Sequence, residues 1–142
     1  MDPAPRVFEE LPIDAEHGVP VPFACGTEEP SIRFLDARRV TQCALSRICG
    51  VCGAGLGRPI AFLGSPHERA RNAFHFPPTH EECARRLVPR LRSLDVPALG
   101  HDEVVVDWVV VTTAGFEYVR PVRGDEDPRA RFEPNSLLSA SG

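Results

Sequence analysis

Lysine is missing altogether. All 16 basic residues are Arg, set against 20 Asp and Glu for a net charge of −4. That bias, together with 15 Pro and 11 Gly, points to a GC-rich bacterial genome such as an actinobacterial one. Trp and Tyr are scarce, with one of each beside eight Phe, and the sequence offers no series of exposed rings for stacking single-stranded bases. No apolar run approaches the ~20 residues a bilayer requires, because charge or Pro interrupts each one. Met1-Asp2-Pro3-Ala4-Pro5 has neither the basic nor the apolar region of a secretory leader, so a cytoplasmic protein with no membrane partner is expected. Gly-x-Ser-x-Gly, P-loop and dinucleotide fingerprints are absent too, which removes the commonest hydrolase and nucleotide-binding classes.

What is present suits a globular chain. Apolar residues make up 42% and charged residues 25% of 142, enough for a core and the size of one domain spanning residues 1–142. Charge is unevenly distributed. Residues 31–92 hold 11 Arg against Asp36, Glu68, Glu81 and Glu82, a local +7, and the remainder holds 5 Arg against 16 acids, or −11. A basic centre of this kind either meets an anionic partner or is neutralised by its own acidic flanks.

Five cysteines in a cytoplasmic chain do not form a disulfide framework. Their spacing points to a metal. Cys49-Gly50-Val51-Cys52 is a CxxC pair, and His80-Glu81-Glu82-Cys83 is an HxxC pair. Together they supply three thiolates and one imidazole in two close pairs, the donor set of a tetrahedral structural Zn²⁺ site. Cys25 and Cys43 are left over.

Local signals agree with that pairing. The spacing of Val40, Cys43, Ala44 and Ile48 predicts a helix from Asp36, a natural N-cap, to Ile48. Gly50, Gly53, Gly55 and Gly57 follow, letting the backbone turn tightly and aim amides at sulfur, as in a zinc knuckle. Pro59–Leu63 reads as a strand and Gly64-Ser65-Pro66 as a turn, with an ambiguous stretch, read as a returning strand, over His67–Phe76. Thr79 as N-cap with Glu82 three residues on makes a capping box, placing His80 and Cys83 in a first helical turn that Pro89 soon limits. Knuckle, hairpin, then ligand-bearing helix is the order of a treble clef, here spanning about 36–92.

The run Ile48-Cys49-Gly50-Val51-Cys52-Gly53-Ala54-Gly55-Leu56-Gly57-Arg58 with Ala61-Phe62, followed by Pro77-Pro78-Thr79-His80-Glu81-Glu82-Cys83-Ala84, resembles a family of small uncharacterised actinobacterial and actinophage proteins. Their shared core reads CxVCGxxLGRxxAF and then PPxHxxCA. Val19-Pro20-Val21-Pro22-Phe23 is similar to a PVPF stretch of the same family. The resemblance covers about residues 10–90. It departs at Arg69-Ala70-Arg71-Asn72-Ala73-Phe74-His75-Phe76 and at the C-terminus, and it implies no activity.

Outside the zinc module the chain reads as β structure. Val19–Ala24 and Ser31–Leu35 are strand candidates around a turn at Cys25-Gly26-Thr27-Glu28-Glu29-Pro30. Val104–Thr113, with six Val and Trp108, is the strongest strand, and Ala114-Gly115 turns it into Phe116–Val122 as a C-terminal hairpin over about 104–122. A loop through Asp125-Glu126-Asp127-Pro128 and a loose tail over about 124–142 end the chain. The expected fold class is α+β, a treble-clef-like zinc module packed with additional β-hairpins.

The expected function is a binding or adaptor module built on structural zinc. A protein partner is favoured, with nucleic acid as the other candidate through Arg58, Arg69, Arg71, Arg85 and Arg86. An HNH-like nuclease on the same scaffold is the alternative, with His67, Asn72 and His75 as its only candidates for base and second metal. A thiol enzyme using Cys25 or Cys43 is the other small-enzyme alternative.

Overall fold

The structure, a computed structural model, describes residues 8–26, 28–124, 126–127 and 129–141. The N-terminal run Met1–Pro5, and Thr27, Asp125 and Pro128 of the expected loops, lie outside the described residues. The chain is mixed helix and sheet. Helix α1 (Ala37–Ser46) is followed by strand β1 (Ile60–Gly64), helix α2 (Pro66–Arg71), the short strand β2 (Thr79–His80) and helix α3 (Glu81–Arg92). Strands β3 (Val109–Thr113), β4 (Phe116–Val119), β5 (Arg131–Pro134) and β6 (Leu137–Ser141) complete it. Among the described residues no helix is long and apolar enough to cross a membrane.

Two sheets share the strands. One is antiparallel with order β2-β1-β3-β6, and the other pairs β4 with β5. Every residue of β1 and β3 is buried, as expected of central strands rich in Val, Phe and Ile. The aromatic centre lies where the sheets meet: Phe62 of β1 packs against Phe74, Phe116 and Phe132, ring centroids 5.6–5.9 Å apart. Helix α3 turns Ala84, Leu87, Val88 and Leu91 inward.

Helix α1 starts where expected. The Asp36 carboxylate accepts the amides of Arg38 and Arg39, and Val40, Cys43 and Ala44 form the buried side. It stops at Ser46, short of Ile48, because Arg47 adopts the left-handed conformation that ends it.

Elsewhere the structure corrects the sequence reading. Pro66–Arg71 is helical. Ser65 and Glu68 form the reciprocal capping box, with Pro66 at the first helical position, so Gly64-Ser65-Pro66 is a helix start and His67–Phe76 holds no returning strand. Helix α3 runs through Pro89, which is exposed, because the buried stripe continues to Leu91 beyond it. Val19–Ala24 and Ser31–Leu35 form no strands; only an isolated bridge joins Ile13 to Pro20, and Phe23–Cys25 is a 3-10 turn.

The C-terminal hairpin is absent. Val104 and Val106 are exposed and have no neighbouring strand among the described residues, so β3 begins only at Val109. Ala114-Gly115 does turn the chain, but from one sheet into the other. The buried Thr113 hydroxyl fixes this corner: it donates to the Gly115 carbonyl at 2.7 Å and accepts the Ser136 amide at 3.2 Å, tying both crossings together. The expected loose tail supplies β5 and β6.

One buried carboxylate organises the segment ahead of α1. Asp14 is 3% exposed and accepts the amides of Glu16, His17 and Ile32 at 2.8–2.9 Å, with His17 Nδ1 at 3.2 Å. Burial opposes its charge, but these donors outweigh it and hold the carboxyl down at about 2. A depressed folded pKa contributes stability above the ordinary value of 3.8 that is lost as pH falls toward 2. Asp14→Ala should therefore cost ~2–3 kcal/mol at neutral pH. Urea melts between pH 7 and 5, above the range in which this carboxyl titrates, should show that gap constant between variant and wild type.

Candidate metal centre

Cys49, Cys52, His80 and Cys83 come together as the sequence spacing predicts. Their ligand atoms all lie within 4.8 Å of one another, and they are positioned to coordinate a metal ion. Tetrahedral Zn²⁺ with bonds of about 2.0–2.3 Å separates its ligand atoms by roughly 3.5–3.8 Å, so the four side chains need only close in slightly. Among the described residues this is the only such group of three or more His, Cys, Asp or Glu side chains.

The first pair sits in a tight backbone loop. Ile48 and Gly55 form an antiparallel bridge, the Cys49 amide donates to Ala54 O at 2.7 Å, and the Gly53 amide donates to Cys49 O at 2.8 Å. Closing this loop turns the amides of Val51 and Cys52 onto Cys49 Sγ, at 3.3 and 3.5 Å. Two glycines allow it. Gly53 has φ +78°, where side chains are strained, and its absent Cβ would meet the Phe23 ring at 3.0 Å. A Cβ on Gly50 would lie 2.7 Å from Pro77 Cγ, so the knuckle packs directly on the segment leading to the second pair. The Gly50 amide donates to Pro78 O at 2.8 Å and fixes that docking.

The second pair arrives differently from the sequence expectation. Thr79 is not the N-cap. Its hydroxyl is committed across the sheet to Ala61 O at 3.1 Å, its backbone pairs with β1, and the helix begins one residue later with His80 at the cap. The expected Thr79–Glu82 capping box is therefore not formed, and only Cys83 lies within the first turn of α3. His80 is freed from helical geometry and orients by its ring. Nε2 lies 2.9 Å from Gly55 O, and Nδ1 faces Cys52 Sγ at 3.4 Å and Cys83 Sγ at 3.8 Å. The carbonyl selects the tautomer with hydrogen on Nε2, leaving the Nδ1 lone pair for a metal.

One thiol of the cluster is prepared for charge. Burial opposes ionisation of Cys49, but hydrogen bonds from the Cys52 and Cys83 thiols and from the amides of Cys52 and His80 overcome it, bringing it down to about 3. Cys83 is pushed strongly up, first by its hydrogen bonds to Cys49 and Cys52 and then by burial and their charge. Cys49 thus takes a negative charge readily, and Cys83 resists a second one beside it. A cation removes that conflict, and this chemistry fits a thiophilic metal.

The remaining candidates lie elsewhere. Cys25 and Cys43 are displaced far up the pKa scale by burial, Cys43 to about 12, and neither is an activated nucleophile. His75 contacts Asp127 Oδ2 through Nε2 (3.1 Å) and Ala130 O through Nδ1 (3.0 Å). Asn72 caps α2 and donates to Pro134 O at 2.8 Å, and His67 is exposed on α2. Arg85 pairs with Glu81 on its own helix at 2.9 Å, while Arg86 pairs with Glu9 and covers the Phe8 ring. Arg58, Arg69 and Arg71 are exposed and form no ion pair among the described residues.

Sequence reasoning missed Gly55 as a determinant of the His80 tautomer, because its contribution is a backbone carbonyl. It also missed Glu68, 6% exposed, whose carboxylate takes the amides of Ser65 and His75 and meets His101 Nε2 at 3.2 Å. The Ser65-Pro66-x-Glu68 pattern would have revealed the capping half of that role. Comparison of the chain with family models, curated proteins and solved structures gives no match.

Proposed function

We propose that this chain is a zinc-stabilised binding module, in which Cys49, Cys52, His80 and Cys83 hold one structural Zn²⁺ in a treble-clef arrangement within a single domain. The convergence of all four ligand atoms within 4.8 Å carries the reading. Three thiolates and one imidazole fill a tetrahedron and leave no position for a water, the pattern of structural rather than catalytic zinc. The order of knuckle, β1–β2 pair and ligand-bearing α3 supports the treble clef, with α2 as an insertion in its hairpin. Zinc would supply the positive charge that lets all three thiols ionise together.

A protein partner is favoured over nucleic acid. Arg85 and Arg86 are engaged by acids of the chain itself, and Phe34, Val106, Val122, Leu137 and Leu138 are 60–76% exposed. The nucleic-acid reading keeps Arg58, Arg69 and Arg71 as contacts, and the nuclease reading is weaker still, since both ring nitrogens of His75 have partners. Anisotropy titrations of the zinc-loaded protein with mixed-sequence DNA and RNA at 50 and 200 mM salt separate the partners. Weak binding at both salts is expected. Micromolar or tighter binding that falls steeply with salt would transfer the function to nucleic acid.

A further inference from the structure

Away from the metal centre, a cavity of about 460 Å³ opens between α1 and the end of the β4–β5 pair. Its volume falls within the ~300–1,000 Å³ of small-molecule sites. Leu35, Val40 and Pro121 give it apolar walls, and Tyr118 lines it as well. Val40 and Thr41 face it from one side of α1, the Thr41 hydroxyl 3.4 Å from Tyr118 Oη.

Among the described residues the lining contains two Arg and no carboxylate. Arg129 is already satisfied: Asp127 takes its Nε and Nη2 at 3.0 Å, and Gly100 O takes Nη1 at 2.7 Å. His75 is satisfied too, between Asp127 and Ala130 O. Arg120 differs. It is exposed, and among the described residues its one contact is the face of Tyr118, 5.7 Å from the ring centroid. Apolar walls, two hydroxyls and one guanidinium with no acid beside it among the described residues describe a site with a definite preference.

We propose that this cavity binds a small amphipathic monoanion, its apolar body between Val40, Pro121 and Tyr118 and its carboxylate on Arg120, with the Thr41 and Tyr118 hydroxyls as further donors. This cavity is separate from the metal centre, since none of Cys49, Cys52, His80 and Cys83 lines it. A guanidinium held against an aromatic face keeps its donors directed outward, and a carboxylate there gains a charge-assisted bond that a neutral analogue lacks.

The probes are 3-phenylpropionate and its neutral amide, titrated into ¹⁵N-labelled zinc-loaded protein. Saturable amide shifts confined to Thr41, Tyr118 and neighbouring residues are expected with the acid, and the amide should bind about tenfold more weakly. Arg120→Ala should weaken the acid by about the same factor and leave the amide unchanged. Arg90→Ala, removing an equal charge from α3, should change neither. Ala37→Trp, at an exposed residue of the cavity mouth, should abolish binding of both without lowering the melting temperature. Absence of saturable shifts up to 10 mM acid would overturn the site, and equal binding of acid and amide, or equal weakening by Arg90→Ala, would overturn the role of Arg120.

Discussion

Replacing Cys83 with Ser, or stripping the metal with a chelator, is expected to unfold the region from Cys49 to Arg92. The zinc would join segments some 30 residues apart, and structural zinc contributes ~10–16 kcal/mol of apparent binding energy, as much as the whole stability of many domains. The consequences do not stop at the ligands. Strand β2 pairs with β1, β1 pairs along its whole length with β3, and α3 packs on both. Loosening the β2–α3 junction therefore exposes the centre of the larger sheet, and Val109–Thr113 should lose protection together with it. Amide exchange with and without chelator reads this segment by segment. Acidification should act in the same direction, because protons compete with the metal for three sulfurs. Cys25→Ser and Cys43→Ser should keep full metal content, although Cys43, buried in the core, should lose some stability.

The second large effect is expected at Phe62. Its side chain is fully buried and touches three other Phe rings, Phe116 and Phe132 of the smaller sheet and Phe74, which bridges to Phe132. Phe62→Ala should cost ~3–5 kcal/mol through lost transfer energy and the cavity left among the rings. Guanidinium melts of the zinc-loaded protein should show a lower midpoint, and metal content should remain at one equivalent. That pairing of results separates the aromatic core, which joins the sheets, from the metal centre, which joins knuckle to helix. Loss of metal together with stability would show instead that the two act as one unit.

Close-range signals in the sequence predicted much of the metal centre. A CxxC in a glycine-rich turn and an HxxC beside Pro77-Pro78 are local patterns, and so is the Asp36 cap of α1. Where local and long-range demands competed, the long-range contact won. Thr79 has the right neighbour for a capping box, but its hydroxyl reaches Ala61 across the sheet, which moves the helix start to His80 and gives that histidine its orientation. The valine-rich run from 104 reads as one strand, yet only the part opposite β1 pairs. Ala114-Gly115 looks like a hairpin turn because a change of sheet uses the same two residues, and nothing nearby in sequence reveals that Thr113 and Ser136 will meet. The Arg120 cavity was not legible at all, since its walls come from segments about 80 residues apart.

X-ray absorption at the zinc edge, on protein purified without chelator, tests the metal centre most directly. One equivalent of zinc is expected, with three sulfurs at about 2.3 Å and one imidazole nitrogen at about 2.0 Å. Substoichiometric metal, or a shell containing a water or carboxylate oxygen, would contradict a closed Cys49, Cys52, His80 and Cys83 site.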